Sequence, residues 1–200
     1  MGEAMKNPGF GMTGHGYEAA DDAVLAAWAG AGDERALEAL FERYRKPLYA
    51  YFNRMLNRDT MSADDLFQEL WIKIIRKLPE YRESGKFGAW MFRIAHNLSL
   101  EHFRRLKSRN KLGMHTVDGE LPDCPGAEPE PGKVLAGKDL EIRLELLLAE
   151  LPAEQREVFH LRQNGVSFKE IAEMQQCPLN TALGRMHNVM KYLQRRLVVD

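Results

Sequence analysis

Cysteine is scarce in this chain: Cys124 and Cys177 are the only two in 200 residues. They lie far apart and match no CxxC spacing, which excludes a disulfide-stapled scaffold or a cysteine metal site and fits a reduced compartment. Long hydrophobic runs are missing as well. No segment approaches the roughly 20 apolar residues of a membrane-spanning helix. The Gly-rich stretch Met1 to Ala20 has no apolar signal core, so it is expected to be a flexible tail, and the protein cytoplasmic with no membrane insertion of its own. Neither sign of charge dominates: 28 Lys and Arg stand against 29 Asp and Glu. The six histidines (His15, His96, His102, His115, His160 and His187) form no HExxH pattern, and no glycine-rich phosphate loop follows a strand. Asp64, Asp65 and Glu69 lack a partner ligand set for a metal. An enzyme is therefore not expected, nor a cofactor or metal. Sustained period-two alternation is absent too, and the expected fold class is all-α.

What is present is charge of both signs, sorted along the chain. From His102 to Lys111 there are five cations and no acid, whereas Gly113 to Gly137 holds five acids and one Lys. A nucleic-acid binder needs a local basic surface more than a high overall pI. The acidic stretch, rich in Pro and Gly, cannot bury enough apolar surface to offset its ordering entropy, and is expected to be a linker over 113–137.

Before the linker, Asp33 reads as an N-cap, followed by Leu37, Leu40, Phe41 and Tyr44 at helical spacing. Pro47 is expected to restart a helix through Leu48, Tyr51, Phe52 and Met55. Ser62 with Asp65 resembles a capping box. It opens an acidic-apolar helix that ends near Leu78 and Pro79 and on which Phe67, Leu70 and Ile74 are core candidates. A further helix runs from about Phe87 to Arg109, aromatic at its start and cationic at its end. After the linker, helices are expected over Asp139 to Glu150 and Ala153 to Gln163. Ser167 and Glu170 cap a short helix, a turn follows at Gln175 to Cys177, and Pro178 is placed to begin the last helix. A short helix, a three- to four-residue turn and a longer helix bearing cations is the helix-turn-helix pattern.

Four stretches together resemble the extracytoplasmic-function sigma factors of bacterial RNA polymerase, members of the sigma-70 family. They are Asp64-Asp65-Leu66-Phe67-Gln68-Glu69, Phe87 through Asn97 (FGAWMFRIAHN), Leu151 through Phe159 (LPAEQREVF) and Ser167 through Ala172 (SFKEIA). Their order and spacing fit the minimal two-domain class over about residues 21 to 197. The resemblance implies sigma domain two at 21–112 and sigma domain four, with its helix-turn-helix, at 138–200. It implies that Asp65, Gln68, Glu69 and Ile72 meet the clamp helices of the polymerase largest subunit. It implies that Arg82, Ser84, Lys86, Trp90, Arg93, Asn97, Glu101, Arg104 and Arg105 recognise and open the −10 element of promoter DNA. Asn180, Thr181, Arg185, His187 and Lys191 would lie against double-stranded −35 DNA. An anti-sigma protein is the expected inhibitor, and the linker would thread toward the basic active-site region of the polymerase.

Several positions depart from the family. Glu101 stands where Asp is common, Gln175-Gln176 replaces a usual Leu-Gly, Asn180 a common Gly, Leu183 a common Lys, and Gly184 a small hydroxyl residue. Base preference at −35 therefore does not transfer. Two binding-protein alternatives remain open at this point. One is a helix-turn-helix regulator that never enters the polymerase. The other is a sigma-like regulator that binds a partner without promoter DNA.

Overall fold

The computed structural model describes residues 14–56, 58–82, 85–112 and 136–197, and those residues form two units joined through the chain. Ser84, Cys124 and the expected linker up to residue 135 lie outside the described residues. Among the described residues all regular structure is helical.

The first unit begins with α1 (Gly14–Ala19) and α2 (Asp22–Gly30). The flexible tail expected through Ala20 is thus corrected at its end: α1 is ordered because Tyr17 is buried, packs edge-on to Trp28 at 5.7 Å and donates to Asp33 Oδ2 at 3.1 Å. Asp33 caps α3 (Glu34–Met55) as expected, accepting from the amides of Arg35 and Ala36 at 3.0 and 3.2 Å. Pro47 does not restart a helix; α3 continues through it. An interior proline costs about 3 kcal/mol. Leu40, Leu48, Tyr51 and Phe52 are fully buried on one face of α3, at about 1.5–3 kcal/mol for each large apolar side chain, so burial wins.

The next helix, α4 (Thr60–Lys77), is capped by Asp59, which accepts from the Ser62 amide at 3.2 Å. The capping box proposed for Ser62 is displaced by this acid three residues upstream. Leu66, Leu70, Trp71 and Ile74 bury one face of α4, with Trp71 4.9 Å from Phe41 of α3. A 3-10 turn (Leu78–Glu80) ends it, as the Leu78-Pro79 signal implied. At Gly30 an added Cβ would come within 3.0 Å of the Leu78 carbonyl oxygen, so α2 meets this turn backbone to backbone. Finally α5 (Phe87–Leu112) inserts Met91, Phe92 and Leu98 into the core, with Phe92 edge-on to Tyr51 at 5.7 Å, and its residues from Leu100 onward group with the second unit.

The second unit contains α6 (Ala136–Ala149), α7 (Ala153–Gln163), α8 (Phe168–Met174) and α9 (Leu179–Leu197). Its core is Leu147, Leu148, Phe159, Val189 and Leu193. The α6 start precedes the expected Asp139 by three residues. Pro178 lies just outside α9, where its carbonyl accepts from the amides of Thr181 and Ala182 at 2.9 and 3.3 Å. The turn between α8 and α9 closes through Cys177 N to Ala172 O at 3.0 Å, with Gln176 in the left-handed region at φ 49°.

Candidate polymerase and nucleic-acid interfaces

The buried face of α4 leaves a solvent stripe at spacings of three and four residues. Asp65 and Gln68 are exposed on it, and so are Met61 at 79 %, Ile72 at 50 % and Ile75 at 49 %. Glu69 shares the ridge and is tied to Lys73 one turn on, at 2.9 Å. The neighbouring Asp64 accepts from Tyr49 Oη at 2.7 Å, a bond that, ahead of burial, raises the tyrosine pKa. Three large apolar side chains standing in water beside carboxylates suit a protein partner better than nucleic acid. Phe67, expected in the core, is half-buried, edge-on to Tyr49 at 5.5 Å.

At the start of α5 the aromatics gather. Trp90 is half-buried between Tyr81 at 4.8 Å and Phe87 at 5.5 Å, and Tyr81 lies 5.2 Å from Phe87. Tyr44 packs edge-on to Phe87 at 5.8 Å. Its hydroxyl would lie 3.1 Å from a Cβ at Gly88, so a side chain there would press on the hydroxyl by a few tenths of an ångström. The Tyr44 hydroxyl donates to Asp22, which also pairs with Arg43. Burial, then this bond, pushes the Tyr44 pKa well above its ordinary value. Arg43 further donates to the carbonyls of Glu18 and Ala20 at 3.0 and 2.9 Å. The segment from α1 to α2 is thereby bolted to the aromatic cluster.

Along α5, Arg93, Asn97 and Arg104 are exposed at spacings of four and seven residues, and Arg82 and Lys86 are exposed in the preceding loop. Glu101 is half-exposed and pairs with Arg105. Aromatic faces beside cations can receive unstacked bases, at roughly 1–3 kcal/mol per stacked base. Phe87 and Trp90 at adjacent turns made part of this cluster visible in sequence. Tyr44 and Asp22 were missed, because their contacts span more than 20 residues and carry no periodic signal.

On α9, Asn180, Thr181, His187 and Lys191 are exposed. Arg185 is only half-exposed and turns back: its Nη1 donates to Gln175 Oε1 at 2.6 Å and lies 3.6 Å from Cys177 Sγ. Gly184, noted above as a departure from the family, and Asn188, not singled out in the sequence, are exposed on the same side as Asn180. Among the described residues no group of three or more His, Cys, Asp or Glu is placed to hold a metal, and no helix is long and apolar enough to cross a membrane.

An exposed acidic-apolar ridge, an aromatic-cationic helix and a helix-turn-helix, carried by two small helical units, are the arrangement of a transcription-initiation factor. The family model for sigma-70 region 2 matches residues 40–109 and that for sigma-70 region 4 matches residues 141–195, together more than half of the chain. The chain belongs to the sigma-70 family, in its two-region extracytoplasmic-function group. It is 26% identical over 171 residues to the RNA polymerase sigma-H factor of Pseudomonas aeruginosa, covering 83% of this chain and 88% of that one. It is 26% identical over 184 residues to the ECF RNA polymerase sigma-E factor of Escherichia coli, covering 88% and 94%. Two solved structures share the fold, each at a TM-score of 0.59 and 22% identity. One is CnrH in complex with the cytosolic domain of CnrY, with 90% of this chain and 98% of that one aligned. The other is the sigma factor RpoE of Bartonella quintana in complex with the anti-sigma factor NepR, with 82% and 98% aligned.

Proposed function

We propose that the chain binds core RNA polymerase and directs initiation at promoters by recognising −35 and −10 elements and helping to melt the −10 DNA. The observation that carries this is the presence, on one chain, of both a region 2 and a region 4 match. A repressor built only on a helix-turn-helix has no use for the first. Each interface contributes a physically distinct task. The α4 ridge, with Asp65, Gln68, Glu69 and Ile72, docks on the clamp helices of the polymerase. The loop and helix carrying Arg82, Ser84, Lys86, Trp90, Arg93, Asn97, Glu101, Arg104 and Arg105 hold the −10 strand. Extruding a paired base costs a few kcal/mol, which a small number of stacking and cationic contacts repays once polymerase is bound. In the second unit, α9 enters the major groove at −35.

Catalysis is no part of this activity, and the protein works in the cytoplasm, where polymerase is. The co-crystallised relatives, one of them named with its anti-sigma factor, support an anti-sigma protein as inhibitor here.

The test is transcription in vitro with purified core polymerase, genomic DNA fragments and the full chain, mapping start sites. Discrete starts sharing two upstream elements are expected. Binding to core without starts would leave a sigma-like regulator, and neither starts nor core binding would leave a simple DNA-binding protein.

A further inference from the structure

Arg185 lies on the recognition helix yet is held against the fold. Its partner Gln175 in turn donates Nε2 to Glu157 Oε2 at 2.9 Å and to the Glu154 carbonyl at 3.0 Å. The charges fix which way this amide points. Flipped, its oxygen would face the Glu157 carboxylate and its NH2 the Arg185 guanidinium, two repulsive contacts. A carboxylate, an amide and a guanidinium thus link α7, the turn and α9. A leucine at position 175 would remove the amide acceptor and leave Arg185 only the weak acceptor Cys177 Sγ at 3.6 Å.

The outward face of α9 is left uncharged over three turns. From Leu179 to Met190, Arg185 is the only Lys, Arg, Asp or Glu. Asn180, Gly184 and Asn188 form one stripe at i, i+4 and i+8, all exposed, and Leu183 flanks it at 41 % exposure. Around Gly184 a Cβ would meet nothing within 4 Å. Glycine inside a helix costs stability, and no positive φ requires it here. Its missing side chain instead lets a groove floor approach the helix closely enough for short asparagines to reach it. Asparagine pairs bidentately with adenine N6 and N7, and an apolar side chain suits the thymine methyl, whereas guanine is typically read by arginine.

We infer that Asn180 and Asn188, either side of Gly184, read A·T pairs in the −35 element, while Arg185 is a positioning residue that clamps the turn to the recognition helix. This rests on the sigma-factor function proposed above and names its −35 chemistry.

The experiment selects −35 sequences from a randomised promoter library by transcription with core polymerase and the full chain. Two positions with adenine preference are expected. Placing 7-deazaadenine at either should weaken promoter use about fivefold or more, and Asn188→Ala should abolish that sensitivity at one of them. Arg185→Met should weaken all −35 sequences alike and lower the melting temperature. Gln175→Leu frees the guanidinium for a phosphate and should steepen the log affinity against log salt slope by about 0.9. Gly184→Ala should raise the melting temperature while weakening −35 use. A guanine preference that disappears in Arg185→Met would overturn the inference, as would selected promoters indifferent to 7-deazaadenine. Those outcomes leave the sigma function standing, whereas a library that yields no starts at all removes both. If Gln175→Leu does not fold, the base-analogue series with the native chain still decides.

Discussion

Gln176 holds a backbone conformation that its side chain disfavours. At φ 49° it occupies the left-handed region, which costs a residue with a Cβ about 1–2 kcal/mol. Part of that is offset because glycine loses more backbone entropy on folding. Gln176→Gly should therefore raise the stability of the full chain by about 0.5–1 kcal/mol in denaturant titration, with the turn bond from Cys177 to Ala172 retained. Tyr44 gives a residue-level prediction with a pH sign. Burial and the bond to Asp22 raise its pKa in the folded state above the roughly 10 of an unfolded chain. The folded protein then keeps a proton that the unfolded chain releases, so this contribution is complete below pH 10 and is lost as pH climbs toward the folded value. Measured between pH 9 and pH 11, stability should fall with pH, and less steeply in Tyr44→Phe. An equal slope in the variant would assign the alkaline loss to other groups.

At the level of elements, the α4 ridge proposed to meet polymerase can be altered without touching the core. Ile72 is half-exposed and its buried neighbours Leu70, Trp71 and Ile74 lie on the other face. Ile72→Asp should leave thermal stability within about 0.5 kcal/mol, as surface substitutions do. It should weaken core-polymerase binding tenfold or more in a competition assay, since a charge would be desolvated at the interface. An unchanged affinity would move the docking surface elsewhere.

The elements themselves were legible wherever the signal was local and periodic. Asp33, the break at Leu78-Pro79, the Phe87 helix and the helix-turn-helix all follow from caps, breakers and apolar spacing. Legibility failed where distant contacts outweighed a local signal. Pro47 reads as a boundary until four buried side chains hold α3 straight through it. Gly14–Ala19 reads as tail until Tyr17 finds Trp28 and Asp33. Among site residues, spacing separates the exposed positions of α4 from its buried face, while the candidate contacts on α4 and α5 come from the family resemblance. The inward turn of Arg185 could not, because its partner Gln175 belongs to a different segment of the fold.

For the whole molecule, formal net charge of −1 means that DNA binding depends on where the cations sit and not on their excess. Each unit carries its own buried core. A fragment ending at Leu112 should accordingly fold, compete with the full chain for core polymerase within about tenfold, and support no −35-dependent start. Retained −35 dependence in that fragment would place upstream recognition outside the second unit. The three tryptophans offer a way to watch the parts separately. Trp28, Trp71 and Trp90 all belong to the first unit, packed respectively on Tyr17 of α1, on Phe41 beneath the exposed ridge of α4, and on Tyr81 just before α5. Every indole of this chain therefore lies outside the helix-turn-helix, and single-tryptophan versions would give an optical reporter for each of three parts of the first unit.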